Sequence, residues 1–369
     1  MALSKIEADS LDIGQVGGRR NLIINGAMQV AQRGTSFTGV GNGDNAYHLD
    51  RFKFAESGSP NGEFTITQAS DGPSGFSNSL KLDCTTAETA LASNEAIRLI
   101  YNFEGQDLQH LKKGTSDAEY VTLSFYVKSN LTGTAVVGLY DNDNTRYNAK
   151  TYTIDSANTW ERKVLTFQPD TTGTLDDDNA LSLQIYFWLQ AGSNKTSGTL
   201  PSNWESNTEA NQAPGQTINI ASSADNDFFI TGVQLEVGDT ATPFEHRSYG
   251  EELQLCQRYY YRWAYDNDSE GILDGTGYNT NEFFGTLQHP VVMRGRPAGS
   301  DGGGANAFNL SGNNGNVYVN STSLSYSEES PRSIRLNVTG ISGSVTTGYS
   351  YWLRFGTDSS AFIEMDAEL

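Results

Sequence analysis

The run YVTLSFYVKS, ending at Ser129, sets Val121, Leu123, Phe125 and Val127 at every second position. A period of two puts alternate side chains on opposite faces of an extended chain, so this segment has one face to bury and one to hydrate. The same alternation recurs along the chain. GEFTITQAS alternates Phe64 and Ile66 with threonines, NSLKLDCT alternates Leu80, Leu82 and Cys84, and WERKVLTFQPD, LSLQIYFWLQAG and NDFFITGVQLEVG continue the series. TAVVGLYDNDNTRYNAKTYTID reads as two strands joined by a polar turn from Asp141 to Thr145. The one helical candidate among them, ALASNEAIRLIYNFEGQDLQHLKKG, predicts short helical turns near Gln106 to Lys112.

Many strands joined by polar turns, with no sustained helical period, predict an all-β protein. The 38 Gly, 18 Tyr and 17 Phe of the 369 residues fit that class. The expected architecture is a jelly-roll β-sandwich over residues 21–245, a short helical or extended connector over 246–263, and a smaller C-terminal β-sandwich over 264–369. In that last module NEFFGTLQHPVVM, NVYVNSTSLSY, SIRLNVTGIS, YSYWLRFG and AFIEMDAEL predict five or six strands, with the glycine-rich AGSDGGGANAFNLSGNNGN as a loop. Residues 1–20 are polar and without amphipathic period, so they read as a terminal arm. Within the arm Leu3, Ile6, Leu11, Ile13 and Val16 are small apolar anchors suited to docking on a partner.

The connector carries its own signals. Pro243 restricts Thr242 and ends the preceding strand, and Ser248-Tyr249-Gly250-Glu251 fits a capping box that starts a helix at Ser248. If the helix runs on, Leu253, Cys256, Tyr260 and Trp263 share one narrow stripe and form a candidate trimer interface. The competing reading ends the helix near Gln257 and begins a strand at RYYYRW, which the aromatic content favours.

Charge and motifs narrow the function classes. With 44 Asp and Glu against 24 Lys and Arg, a net charge of -20 opposes binding to a phosphate backbone, so no nucleic-acid partner is expected. There is no run of 18 apolar residues and no signal-peptide pattern at the N-terminus, so no membrane insertion is expected. Cys84 and Cys256 are too few for a disulfide framework, which fits folding in a reducing cytoplasm. HExxH, GxSxG, P-loop and GxGxxG motifs are absent, and His246 reads as a structural residue at the module junction. No catalytic residue, metal or cofactor is therefore expected. The enzymatic rival is a polysaccharide-degrading carboxylate pair, but so many acidic residues make a pair uninformative, and no β-helix rung repeats.

Two acidic clusters, Asp141 to Thr145 and Asp176 to Asn179, have the oxygen ligands calcium prefers but not the EF-hand spacing; solvated turns are the expectation. Trp204, Tyr278, Phe283 and Phe284 lie in or beside polar loops, where a flat ring can stack on a sugar, and are the candidate ligand-binding residues. Trp188, inside IYFWL, is expected to be buried.

NLIINGAMQVAQRGTS, EGQDLQHLKKGTSDAEYVTLSFYVKS, LYDNDNTRYNAKTYTIDSANTWE, ITGVQLEVGDTATPFEHRSYGEELQLCQRYYYRW and the closing DAEL carry a resemblance. The chain resembles tail-fibre-like structural proteins of tailed bacteriophages, of the kind common among viruses of marine bacteria, densely from Asn21 to Trp263. The resemblance implies a virion protein assembled in the host cytoplasm, with a jelly-roll domain like a carbohydrate-binding module and a variable C-terminal domain. It implies a homotrimer fastened to another tail or head protein by its N-terminal arm, with a host surface glycan as the ligand. An architectural adaptor or head-attached fibre without receptor binding is the alternative.

Overall fold

The alternating runs form strands, and each buries one face because two sheets close over it. The structure is a computed structural model that describes residues 19–266, 270–312, 315–319, 324–341 and 345–369. The arm anchors Leu3, Ile6, Leu11, Ile13 and Val16 lie outside the described residues. The chain divides into two units, the first ending at Glu252 and also taking Leu369, the second spanning Leu253–Glu368.

In the first unit the strands are β1 (Ser36–Gly41), β2 (Tyr47–Leu49), β3 (Phe52–Ser57), β4 (Glu63–Ala69), β5 (Ser79–Thr86), β6 (Ala96–Glu104) and β7 (Val121–Ser129). They continue as β8 (Gly133–Asp141), β9 (Arg146–Ile154), β10 (Glu161–Phe167), β11 (Leu181–Ala191), β12 (Glu205–Ser206) and β13 (Asp227–Val237). A six-stranded sheet runs β1-β4-β5-β13-β7-β10 and a seven-stranded sheet β12-β9-β8-β11-β6-β3-β2. The chain passes repeatedly from one sheet to the other, which is the jelly-roll arrangement expected from the sequence. Leu123, Phe125 and Val127 of β7 point inward and are fully buried. The Phe125 ring meets Phe187 of β11 at 5.3 Å and Tyr152 of β9 at 5.1 Å, both edge to face, so one side chain ties the two sheets together. The predicted helical turns are present as 3-10 turns at Gly105–Asp107 and Gln109–Leu111.

The acidic turn after β8 differs from expectation. Asp141 is buried, not solvated, and its carboxylate receives the Lys113 ammonium. Lys113 also pairs with Asp170 at 2.9 Å, and Arg146 reaches Asp170 at 2.8 Å. A carboxylate this deep needs a cation, and the lysine supplies it from the chain itself. Asp176 to Asp178 are exposed, as a solvated turn would be.

The two chain ends of the first unit are stitched together. Asn21 N–H donates to Glu245 Oε2 at 2.8 Å, and Asn25 N–H donates to Glu252 Oε1 at 2.6 Å. The Arg247 guanidinium donates to the carbonyls of Asn21 and, at 3.0 Å, Ile23, while facing Glu252 at 3.3 Å.

Helix α1 (Ser193–Thr196) lies in the first unit, and α2 (Tyr249–Gln257) carries the division between the two. Ser248 Oγ accepts from Glu251 N–H at 3.3 Å, the serine half of the predicted capping box. The helix stops at Gln257, and β14 (Tyr260–Ala264) begins the second unit's strands. The helical stripe is therefore corrected. Tyr260 and Trp263 sit on a strand, because the aromatic run pairs with β23 (Phe362–Asp366), Tyr260 opposite Asp366 and Trp263 opposite Ile363. Cys256 and Tyr260 are buried within the single chain, so they offer no surface to another copy. Trp263 packs against the second unit's core, and Leu253 is half-buried.

The second unit's remaining strands are β15 (Gly271–Asn279), β16 (Glu282–Gln288), β17 (Ala298–Gly302), β18 (Phe308–Gly312) and β19 (Gly315–Val319). After them come β20 (Leu324–Ser327), β21 (Ser333–Val338) and β22 (Ser350–Phe355). A three-stranded sheet, β14-β23-β17, faces a seven-stranded one, β19-β18-β22-β15-β16-β21-β20, across a shared core. Tyr261, Ile363 and Met365 come from the first sheet, and Phe283, Leu336 and Leu353 from the second. This is the smaller sandwich, with more strands than the five or six expected. The glycine-rich stretch is not a loop, since β17 and β18 lie inside it. Its glycines make room for rings on the next strand: a Cβ on Gly302 would stand 2.2 Å from the Phe362 ring, and one on Gly312 2.6 Å from the Tyr351 ring. Among the described residues no helix is long and apolar enough to cross a membrane.

Candidate functional site

The second unit's seven-stranded sheet exposes large rings on its outer face, and β22 shows why. Tyr351, Leu353 and Phe355 alternate into the core, so Ser350, Trp352 and Arg354 must point the other way. Trp352 is 54% exposed although it stands on a central strand. The register places Asp274 of β15 on one side of it and Ser311 of β18 on the other. Ser350 and Thr276 form the next cross-strand pair on the same face. Asp274, Ser311, Gly312, Ser350, Tyr351 and Trp352 line a shallow depression of about 530 Å³. A ring flanked by a carboxylate and hydroxyls is chemically two-sided. The ring offers an apolar flat surface, and the oxygens accept from or donate to a ligand's hydroxyls.

Two of the predicted ligand residues belong to this face. Tyr278, at the far end of β15, is 58% exposed and stacks on Phe284 of β16 at 4.5 Å with an interplanar angle of 34°. The Arg335 guanidinium also lies over the Phe284 ring, at 3.8 Å, and Arg335 is paired with Glu328 at 2.7 Å. Phe284 thus braces Tyr278 and is itself half-covered.

The other two lie elsewhere, and Phe283 is corrected. Phe283 alternates inward and is fully buried in the core, which removes it from any ligand surface. Trp204 belongs to the first unit, packs against its core, donates from Nε1 to the Gln168 carbonyl at 2.9 Å and lies 4.9 Å below the Lys113 ammonium. Its ring serves the buried ion pair. Trp352 was missed as a candidate, although the alternation in SYWLRF carries the signal: neighbouring Tyr351 and Trp352 cannot both point inward.

The first unit has an aromatic outer sheet face of its own, but its chain covers it. Tyr147, Tyr186 and Trp188 point outward from β9 and β11, with Trp188 only 1% exposed. The segment 193–218 lies across them. Tyr147 Oη donates to the Gln212 carbonyl at 2.8 Å, and Ala213 packs into the ring cluster. Gln216 donates from Nε2 to the carbonyls of Trp188 at 3.1 Å and Ile218 at 2.9 Å, and accepts from Val136 N–H at 2.7 Å. The Arg98 guanidinium lies 4.8 Å above Tyr186 and 5.2 Å above Trp188, and burial lowers its pKa. These rings have no free flat side to offer. A further depression in this unit, about 350 Å³ between Leu108, Lys112, Thr115 and Leu175, has no aromatic lining. Among the described residues no three His, Cys, Asp or Glu side chains converge as metal ligands would.

No family description matches the sequence, and no curated protein does. Among solved structures the chain is similar to a carbohydrate-binding module of family 4, at 12% identity over 58% of this chain and 97% of the other, with a TM-score of 0.30. It is similar also to the family 11 carbohydrate-binding module of the cellulosomal cellulase Lic26A-Cel5E of Clostridium thermocellum, at 12% identity over 56% and 96%, TM-score 0.28. A third is the enzymatically active domain of tailspike protein 4 of bacteriophage CBA120, at 14% identity and TM-score 0.29, over 54% of this chain and only 21% of the tailspike. Likeness at this level is too weak to transfer a ligand or a reaction.

Proposed function

We propose that this chain is a non-enzymatic subunit of a phage virion appendage that binds a host surface glycan through the outer face of the second unit's seven-stranded sheet. The observation that carries the binding reading is Trp352, a large ring left 54% exposed on a central strand between Asp274 and Ser311. Keeping such a ring in water forgoes roughly 1.5–3 kcal/mol of burial, which a binding surface recovers when a ligand covers it. The virion setting, the trimer and the attachment arm rest on the sequence resemblance. An array of bacterial surface polysaccharides, probed with the full chain and with Trp352→Ala, tests the reading. Glycan signals that vanish in the variant support it; no signal from either protein favours the architectural adaptor.

A further inference from the structure

We infer that the face around Trp352 holds a neutral oligosaccharide running along β15, gripped at two separate rings, and this rests on the glycan-binding reading. The register sets the distance. Trp352 stands opposite Asp274, and Tyr278 lies four residues further along β15, roughly 13 Å away at the rise of an extended strand. That span is too long for one sugar ring and within reach of a short oligosaccharide. Between the two rings the same face carries Thr276 and Ser350, directly paired across the strands, whose hydroxyls can both donate and accept. Tyr278 is in contact with Phe284, the rings 4.5 Å apart and tilted by 34°, and this packing reduces the rotamer freedom to be lost when a sugar stacks there.

Charge decides the class of sugar. Asp274 stands beside the Trp352 ring, and Glu282 ends the β15–β16 turn near Tyr278, hydrogen-bonded to Asn279 at 2.8 Å. Arg335 on the same face is already paired with Glu328, and the whole chain carries a net charge of -20. An anionic sugar would set its carboxylate or sulfate against Asp274, whereas a neutral hexose donates its hydroxyl hydrogens to it. Arg354, two residues beyond Trp352 on β22, is half-buried at the end away from Tyr278.

The test is titration calorimetry of the full chain with neutral oligosaccharides of glucose, galactose, mannose and N-acetylglucosamine, two and six units long, beside galacturonate oligomers of the same lengths. A neutral series should bind, with the six-unit member about tenfold tighter than the two-unit one, the worth of one added aromatic stack. Tyr278→Ala should abolish that length dependence, while Trp352→Ala should abolish binding of both. Equal affinity at both lengths, a Tyr278→Ala variant that still gains with length, or tighter binding of galacturonates would overturn the inference and leave glycan binding standing. Absence of binding to any sugar would overturn the glycan reading itself. Loss of self-association in Trp352→Ala, read by sedimentation, would overturn both by giving the face to a second copy of the chain.

Discussion

Both units carry tryptophan and tyrosine on the outward side of a seven-stranded sheet, yet they use them in opposite ways. In the first unit Trp188 and Tyr147 lie under the segment 193–218 and hydrogen-bond to each other, Trp188 Nε1 donating to Tyr147 Oη at 3.0 Å. In the second, Trp352 and Tyr278 have no such cover among the described residues and remain more than half exposed. The strands are alike; the connections differ. An outward aromatic becomes a binding surface or a second small core according to whether the following loop lies back over it.

The sharpest way to break this comparison is to truncate the two tryptophans. Trp188→Ala should cost roughly 3–5 kcal/mol in denaturant unfolding, because the ring fills a closed layer. If it proves as harmless as a surface change, the covered face is not a core. Removing the strap should come next: Gln216→Ala leaves Val136 N–H without its acceptor, costs about 1–3 kcal/mol, and should open the segment 193–218 to limited proteolysis. An unchanged digestion pattern would mean that the strap is held by something other than this glutamine.

Acid–base behaviour separates the units further. Burial raises Glu56 of the first unit from its ordinary 4.5 to about 7. Burial also raises Asp301 of the second from 3.8 to about 6, against a hydrogen bond from Tyr326 that lowers it. In both cases the folded form holds its proton more tightly than the unfolded chain. The associated stability is full below the unfolded value and is lost as pH rises through the folded one. Denaturation midpoints should therefore fall between pH 4.5 and 7 through Glu56 and between pH 3.8 and 6 through Asp301. Glu56→Gln should flatten the upper part of that decline and Asp301→Asn the lower part. Midpoints that keep their slope in both variants would assign the effect to other groups. The smallest effect belongs to Trp352→Ala, which should change stability by no more than about 0.5 kcal/mol.

Much of the architecture was legible from period alone. The core face of β7 follows directly from Val121, Leu123, Phe125 and Val127, and the end of α2 from the aromatic run that β14 absorbs. What period does not carry is what lies above a strand. Nothing local in IYFWL tells that segment 193–218 will cover Trp188, because that contact is set by the fold of a distant loop. The glycines of AGSDGGGANAFNLSGNNGN misled for a related reason. In isolation glycine weakens a strand, but at Gly302 and Gly312 it is the residue that lets a ring from the neighbouring strand lie flat against the backbone. Asp141 showed the limit of reading charge locally, since its lysine comes from far along the chain. At the candidate site, Tyr278 was legible from its polar surroundings, whereas Trp352 needed the inside and outside of β22 to be assigned first.

The stitching of Asn21 and Asn25 to Glu245, Arg247 and Glu252 has a mechanical consequence. Tension applied between whatever precedes Asn21 and whatever follows Glu252 meets this knot and strand β13 together, because Leu22 N–H donates to the Leu235 carbonyl at 2.9 Å and Asn21 Nδ2 to the Val233 carbonyl at 3.1 Å. The load is therefore shared between the knot and the last strand of the sandwich. Pulled apart at this point, the side chains of Glu245, Arg247 and Glu252 on one side would have to release the backbone of Asn21, Ile23 and Asn25 on the other. Until those bonds yield, the two ends of the first unit stay side by side, and the sheet that holds β13 bears part of the pull.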